Sequence, residues 1–177
     1  RDDAGVTLVE GFEELQLALV TGGRAHTLFY CRDLMLDPWA QDQLIDSQRE
    51  HGVETIALSR GAFEKVSGRE GPDGFLAIMP TPGCSLADLA VPPDPLILVA
   101  EGLEKPGNLG AMLRSAEAAG AHAVIAVDPV TDWGNPNVIR ASKGAVFAVP
   151  VVATTREAFL EWVVARGIRL IATTPAT

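Results

Sequence analysis

Cysteine is scarce in this chain, and long apolar runs are absent. The two cysteines, Cys31 and Cys84, match no metal-ligand spacing, so we expect free thiols that pack as small apolar side chains. No window approaches the roughly 18 apolar residues of a membrane span, and the chain does not open on a basic segment followed by an apolar one, as secretion signals do. These absences predict a cytoplasmic protein with no membrane partner.

Motifs of several common enzyme classes are also missing. The sequence has no Gly-x-Ser-x-Gly elbow of the kind found in hydrolases. Its three histidines, His26, His51 and His122, are isolated from one another and from any candidate nucleophile or metal ligand. We therefore predict no metal site, and we interpret His51 as a residue at a helix C-terminus, where a positive charge is favourable.

The overall composition is that of an ordinary folded protein. Of 177 residues, 47% are apolar and 21% are charged, and the length suits two small domains. The net charge is −9, and it lies mostly in residues 1–90, where 7 Lys and Arg face 15 Asp and Glu, against 7 and 8 in residues 91–177. This net negative charge argues against binding nucleic acid through the electrostatic field of the whole protein, but it allows a local basic site in the second half.

Residues 1–81 alternate between short apolar runs and segments with helical periodicity. The pattern predicts strands at 6–10, 26–31, 53–59 and 73–80, with helices at 11–23, 37–52 and 60–68. Asp37 and Pro38 are typical of a helix start, and Gly52 of a helix stop. We interpret this part as a small N-terminal α/β domain.

Residues 82–95 interrupt the alternation with four prolines and no sustained period, which indicates a linker. A second series follows in residues 96–177, with predicted strands at 96–102, 122–128, 145–152 and 168–174 and helices at 108–119, 135–142 and 155–167. Alternating strands and helices predict a doubly wound, mostly parallel sheet. Because the chain starts at Arg1 and stops directly after an apparent strand, we expect that residues are missing at both ends.

The segment EKPGNLGAMLRSAEAAG (104–120) joins a predicted strand to a helix. Its glycines, at 107 and 110, complete neither a dinucleotide fingerprint nor a nucleoside-triphosphate loop. Asn108 and Arg114 are six residues apart, a net rotation of about 240° on a helix. They can converge only if Asn108 is a cap residue in the turn, at the edge where parallel sheets bind ligands. The alternative is that Asn108 merely caps the helix and that Arg114 is a solvated charge.

These residues resemble a known family. PGNLGAMLRSA is similar to the first signature motif of the SpoU (TrmH) family of RNA ribose 2'-O-methyltransferases, which belong to the SPOUT superfamily of knotted α/β proteins. VIRASKGAVFAVPVV is similar to the segment between that family's first and second motifs. The unit before residue 81 resembles the small RNA-binding domain of many members. The resemblance implies an RNA-binding domain at 1–81 and a methyltransferase domain of the trefoil-knot type at 96–177, the latter incomplete.

The resemblance also implies a chemistry. It assigns the catalytic arginine to Arg114 and the motif asparagine to Asn108, with S-adenosylmethionine as methyl donor and Thr173 in the donor pocket. An arginine side chain holds its proton strongly and is a poor base alone, so we expect it to bind an RNA phosphate and to orient the ribose hydroxyl.

Further implications concern partners. The resemblance places Lys143, Arg140 and Lys105 toward ribosomal or transfer RNA and implies a homodimer. The family's glycine-rich second motif and its Ser-Leu-Asn segment do not occur within residues 1–177. Two alternatives therefore stay open: a non-catalytic RNA-binding module that retains the fold, and a small-molecule α/β enzyme that binds phosphate at residues 107–110.

Overall fold

A computed structural model describes residues 5–173 of the chain. These residues form two sheets, whose strands are β1 (Val6–Glu10), β2 (Thr27–Tyr30), β3 (Glu54–Ala57), β4 (Phe75–Pro80), β5 (Ile97–Glu101), β6 (Ala123–Val127) and β7 (Val151–Thr154). The helices are α1 (Phe12–Val20), α2 (Pro38–Glu50), α3 (Arg60–Val66), α4 (Pro106–Ala118), α5 (Pro136–Ala141), α6 (Ala145–Ala148) and α7 (Arg156–Arg166).

The first sheet is mixed, with strand order β1-β4-β2-β3. Strands β2 and β3 are parallel, whereas β4 is antiparallel to both of its neighbours. Helix α3 has seven residues and is about 10 Å long, so β4 starts near the end at which β3 stops and runs in the opposite direction. The first sheet is therefore mixed, and the parallel arrangement predicted for the second half does not extend to it.

The second sheet is parallel throughout its described strands, with order β5-β6-β7. All five residues of β6 are buried, as expected for a central strand with both faces covered. The predicted α/β class, with a parallel sheet in the second half, is confirmed.

Helix starts follow the predicted signals. The Asp37 carboxylate caps α2 by accepting a hydrogen bond from the backbone N–H of Ala40 at 3.2 Å, and Pro38 opens the helix. His51 is the C-cap residue of the same helix, as predicted. Both cysteines are free thiols, as expected. Cys31 is buried as a small apolar side chain would be, whereas Cys84 is exposed, so the expected packing holds for Cys31 alone.

The predicted strand at residues 145–152 is wrong in its first half. Gly144 adopts a left-handed conformation with φ of 83° and starts the short helix α6, and β7 begins only at Val151. Val149 is extended because the following residue, Pro150, disfavours helical backbone before it. The prediction failed because the periodicity of a short apolar run cannot distinguish a buried helix from a buried strand.

The predicted strand at residues 168–174 is also wrong over the described residues. Residues 168–173 form no strand, and Leu170 and Ile171 are exposed; residue 174 lies outside the described range. A strand needs a hydrogen-bonding neighbour, and no described strand pairs with this segment.

The two halves of the chain share one apolar core. Val9 and Leu15 from the first half belong to the same buried cluster as Leu109, Leu113 and Ile139 from the second. The segment predicted as a linker has no helix or strand, yet it packs against the second sheet. Leu89 is buried there, and the Cys84 backbone N–H donates to the Val151 carbonyl at 3.0 Å.

Candidate functional site

Helix α4 starts directly after the turn that follows β5. Lys105 is its N-cap residue and makes no side-chain capping bond, and Pro106 occupies the first turn. Gly102, at the end of β5, has φ of 62°, which turns the chain away from the sheet. The predicted motif therefore lies on the first turns of a helix at the carboxyl edge of a parallel sheet.

Asn108 lies inside α4, and the prediction that it caps the helix is wrong. Its backbone N–H donates to the Lys105 carbonyl at 3.0 Å, and its side chain is exposed. Arg114 follows six residues later on the same regular helix, so the two side chains leave the helix in different directions. The helix itself does not bring them together.

Arg114 faces the C-terminal end of α5. The side chain is exposed, and its Nη1 group donates a hydrogen bond to the carbonyl oxygen of Ala141. That carbonyl belongs to the last turn of α5. One end of the guanidinium is therefore fixed to the protein while the side chain remains open to solvent.

Gly110 lies one turn before Arg114 on the same face of α4. A Cβ atom at this position would lie 2.6 Å from the Ala141 carbonyl carbon and 2.7 Å from the Ser142 nitrogen, both backbone atoms. The second glycine of the motif is thus required by the close approach of α4 and α5. Gly107, in contrast, has nothing within 4 Å of such an atom.

The end of α5 is held in place by its own local structure. The Asn135 side chain caps the start of the helix, and the buried Ser142 hydroxyl donates to the Ile139 carbonyl at 2.9 Å. Lys143 and Gly144 then adopt consecutive left-handed conformations, with φ of 55° and 83°. This double turn directs the chain from α5 into α6.

Two cations predicted to contact RNA face the first half of the chain. Arg140 forms an ion pair with Glu10, and Lys143 forms one with Glu13; the nitrogen-to-oxygen distance is 3.5 Å in each. Arg140 is partly buried, whereas Lys143 and Glu13 are both exposed. Lys105, the third predicted cation, is exposed beside the start of α4.

A buried carboxylate lies near these pairs. Burial raises the pKa of Glu14, and the positive charges of Lys143 and Arg69 oppose that rise in part. A Cβ atom at Gly144 would lie 3.1 Å from the Glu14 carbonyl oxygen, so α1 and the start of α6 are in close contact. The junction between the halves thus combines tight backbone packing with several charges.

The carboxyl ends of β5, β6 and β7 meet at one edge of the second sheet, as in open parallel sheets that bind ligands. Arg156 forms an ion pair with Glu101 at this edge, and the Thr131 hydroxyl donates to the Glu104 carbonyl at 2.7 Å. Thr173 is exposed and lies outside any helix or strand. Among residues 5–173, no group of three potential metal ligands occurs and no helix is long and apolar enough to cross a membrane.

Comparison with known proteins matches both halves of the chain to family models. Residues 95–177 match the family model of the SpoU rRNA Methylase family, and residues 1–77 match that of the MRM3-like substrate binding domain. The 23S rRNA (uridine(2479)-2'-O)-methyltransferase of Streptomyces viridochromogenes is 31% identical over 168 residues, which cover 94% of this chain. Residues 95–177 are a domain of the SpoU rRNA methylase family.

Other SpoU relatives are similar over part of their length. The 23S rRNA (guanosine(2553)-2'-O)-methyltransferase RlmP of Bacillus subtilis is 32% identical over 129 residues, which cover 73% of this chain and 50% of that protein. The crystal structure of the SpoU methyltransferase AviRb from S. viridochromogenes with AdoMet has a TM-score of 0.79 and 31% identity, covering 94% of this chain and 61% of that one. The chain spans 57% of the length of its Streptomyces relative.

Sequence reasoning found the SpoU motif but missed the groups that hold it. The acceptor for Arg114 is a backbone carbonyl, and because every residue has one, the sequence cannot indicate which carbonyl has this role. Glu10 was not singled out either, although an acidic residue at the end of an apolar strand is a signal for a buried, partnered carboxylate.

Proposed function

We propose that the chain is part of an S-adenosylmethionine-dependent methyltransferase that modifies a ribose 2'-hydroxyl of ribosomal RNA. The observation that carries this proposal is Arg114, an exposed arginine of the SpoU motif whose guanidinium is anchored to the Ala141 carbonyl. The 2'-O-methyltransferase names of the Streptomyces and Bacillus relatives support the same activity.

Arg114 is assigned a binding and orienting role. A guanidinium offers five N–H donors and no acceptor, so it is unsuited to remove a proton by itself. One of the five N–H donors of the Arg114 guanidinium bonds to the Ala141 carbonyl, and the remaining donors are left for a phosphate of the RNA backbone. Fixing that phosphate orients the neighbouring ribose hydroxyl, and such positioning accounts for a large share of the rate. We assign Asn108, exposed six residues earlier on the same helix, to the same site.

The described residues are compatible with one wall of a methyl-donor pocket. A Cβ atom at Gly102 would meet nothing within 4 Å, so the backbone at the end of β5 is open to a ligand. S-adenosylmethionine supplies a methyl group on a positively charged sulfonium, which makes that group electrophilic. We propose that Thr173 contributes to the same pocket.

RNA contacts are proposed for the exposed cations Lys105 and Lys143 and for Arg140, whose present partner is Glu10. We also propose a cytoplasmic homodimer. Exposed apolar side chains of the second half support an interface there: Leu96, Val130, Val164, Leu170 and Ile171.

Methyl transfer to rRNA tests the proposal. The full-length protein is incubated with S-adenosylmethionine carrying a labelled methyl group and with 23S rRNA, and label in the RNA is measured. Arg114→Ala is expected to reduce the rate at least about 100-fold, because an electrostatic and positioning contact to the reacting nucleotide is lost. Arg60→Ala is the control, since Arg60 is exposed and, within residues 5–173, forms an ion pair with Glu64 alone, on the same helix.

Three other outcomes would redirect the proposal. Undiminished transfer by Arg114→Ala would refute the role given to that residue. RNA binding without any transfer by the wild-type protein would favour the non-catalytic module. Nucleotide binding with no affinity for RNA would favour a small-molecule enzyme.

A further inference from the structure

Glu10 is a buried carboxylate at the C-terminal end of β1. Its side chain is 6% exposed. It accepts hydrogen bonds from the Ser67 hydroxyl and from the Gly68 backbone N–H, the latter at 3.2 Å. The third partner is Arg140, whose Nη2 lies 3.5 Å from Glu10 Oε2. Two partners come from the first half of the chain, and the third comes from the second.

Arg140 stands next to the residue that holds Arg114. Ala141 follows it in α5, and the Ala141 carbonyl accepts the hydrogen bond from the Arg114 guanidinium. The backbones of Gly110 and Ala141 are in close contact, so a movement of α5 strains its packing against α4. Glu10, Arg140, Ala141 and Arg114 thus form a continuous series of contacts from β1 to the SpoU motif.

We propose that Glu10 is a positioning residue for Arg114, acting through Arg140 and the last turn of α5. The inference rests on the proposed function. The Arg140 Nε is buried and has no hydrogen-bond partner among the described residues, so Glu10 is the group that compensates this guanidinium. Without the carboxylate, a partly buried guanidinium has to turn toward solvent, and the α5 end moves with it.

The structure offers a matched control for this pair. Lys143 and Glu13 also join the second half to the first, with the same 3.5 Å separation. Both of those side chains are exposed, so water screens their attraction and a contribution near zero is expected. Glu13→Gln therefore removes a similar charge from the same junction without loosening α5.

The test compares Glu10→Gln with Glu13→Gln in the full-length protein. Single-turnover methyl transfer, the KM for 23S rRNA and the thermal unfolding midpoint are measured. Glu10→Gln is expected to lower the transfer rate about tenfold with KM changed less than twofold, because a displaced catalytic group slows the reaction without weakening binding. Glu13→Gln is expected to change neither quantity more than twofold. A raised KM with an unchanged rate would overturn the inference and leave Arg140 with its proposed RNA contact alone.

A double-mutant comparison separates positioning from general loosening. In an Arg114→Ala background, Glu10→Gln is expected to lower the residual rate less than twofold, because the residue through which it acts is gone. A further tenfold loss would show that Glu10 acts independently of Arg114. If Glu10→Gln unfolds below the assay temperature, Arg140→Gln removes the other charge of the pair and is judged by the transfer rate in the wild-type and Arg114→Ala backgrounds, because Arg140 is itself proposed to contact RNA.

One measurement does not depend on methyl transfer. The NMR signal of the Arg114 side-chain Nε–H group reports its surroundings and is assigned by its loss in Arg114→Lys. Glu10→Gln is expected to shift this signal and Glu13→Gln to leave it in place; an unmoved signal in Glu10→Gln would refute the inference. If the wild-type protein transfers no methyl group while Glu10→Gln still shifts the Arg114 signal, the proposed function alone is contradicted.

Discussion

The end of α5 has two neighbours, and they hold it by different physical means. On one side α4 packs backbone to backbone at Gly110, beside the hydrogen bond from Arg114 to the Ala141 carbonyl. On the other side, carboxylates of β1 and α1 lie against cations at the end of α5 and just before α6. A contact made by shape is sensitive to one methyl group, whereas a contact made by charge is sensitive to neutralisation and pH. The following substitutions separate the two.

Gly110→Ala is expected to have the largest effect on stability. The new methyl group would lie within 2.7 Å of backbone atoms of Ala141 and Ser142, which cannot move aside as a flexible side chain can. The free energy of unfolding should fall by about 3 kcal/mol, as for overpacked cores. Denaturant unfolding measures it, with Gly107→Ala as the control that has open space and is expected to lose no stability. Equal losses in both variants would contradict the packing role of Gly110.

Thr7→Val should have the next largest effect. The Thr7 hydroxyl is buried and donates to the buried Gly134 carbonyl, which joins β1 to the segment before α5. Valine keeps the shape but leaves that carbonyl without its donor, at a cost of about 1 to 2 kcal/mol. The same unfolding assay applies. Thr27→Val, whose hydroxyl makes only an exposed 3.4 Å contact with Glu54, should change stability little.

Glu14→Gln should have the smallest effect, and that effect should depend on pH. Because burial raises the Glu14 pKa above its ordinary value of 4.5, this residue favours the folded state fully below pH 4.5 and loses that contribution as pH rises through its folded pKa. The variant should therefore gain stability relative to wild type as the pH is raised from 4 to 7. Unfolding curves at both values measure this change, and a constant difference would show that the titration of Glu14 is not coupled to folding.

Local signals predicted much of the fold. The caps at Asp37 and Pro38 and the buried run of β6 are determined by residues close in sequence, so pattern alone located them. The direction of β4 and the helix at Ala145–Ala148 depend on neighbours distant in sequence. The periodicity of a short apolar run contains no information about those neighbours.

The site shows the same division. The SpoU motif pointed to Arg114, but its local geometry was predicted wrongly at Asn108, because Pro106 in the first turn allows the helix to start two residues before the predicted position. The ion pair of Glu10 with Arg140 joins residues 130 positions apart, which no local pattern can show.

The apolar cluster shared by the two sheets has a consequence for proteolysis. Val9 and Leu15 pack in one core with Leu109 and Leu113, so the connection through residues 82–95 is not the main link between the halves. A protease that cut this segment would leave a nicked protein whose two pieces stay associated and unfold together, and they would separate only under denaturing conditions.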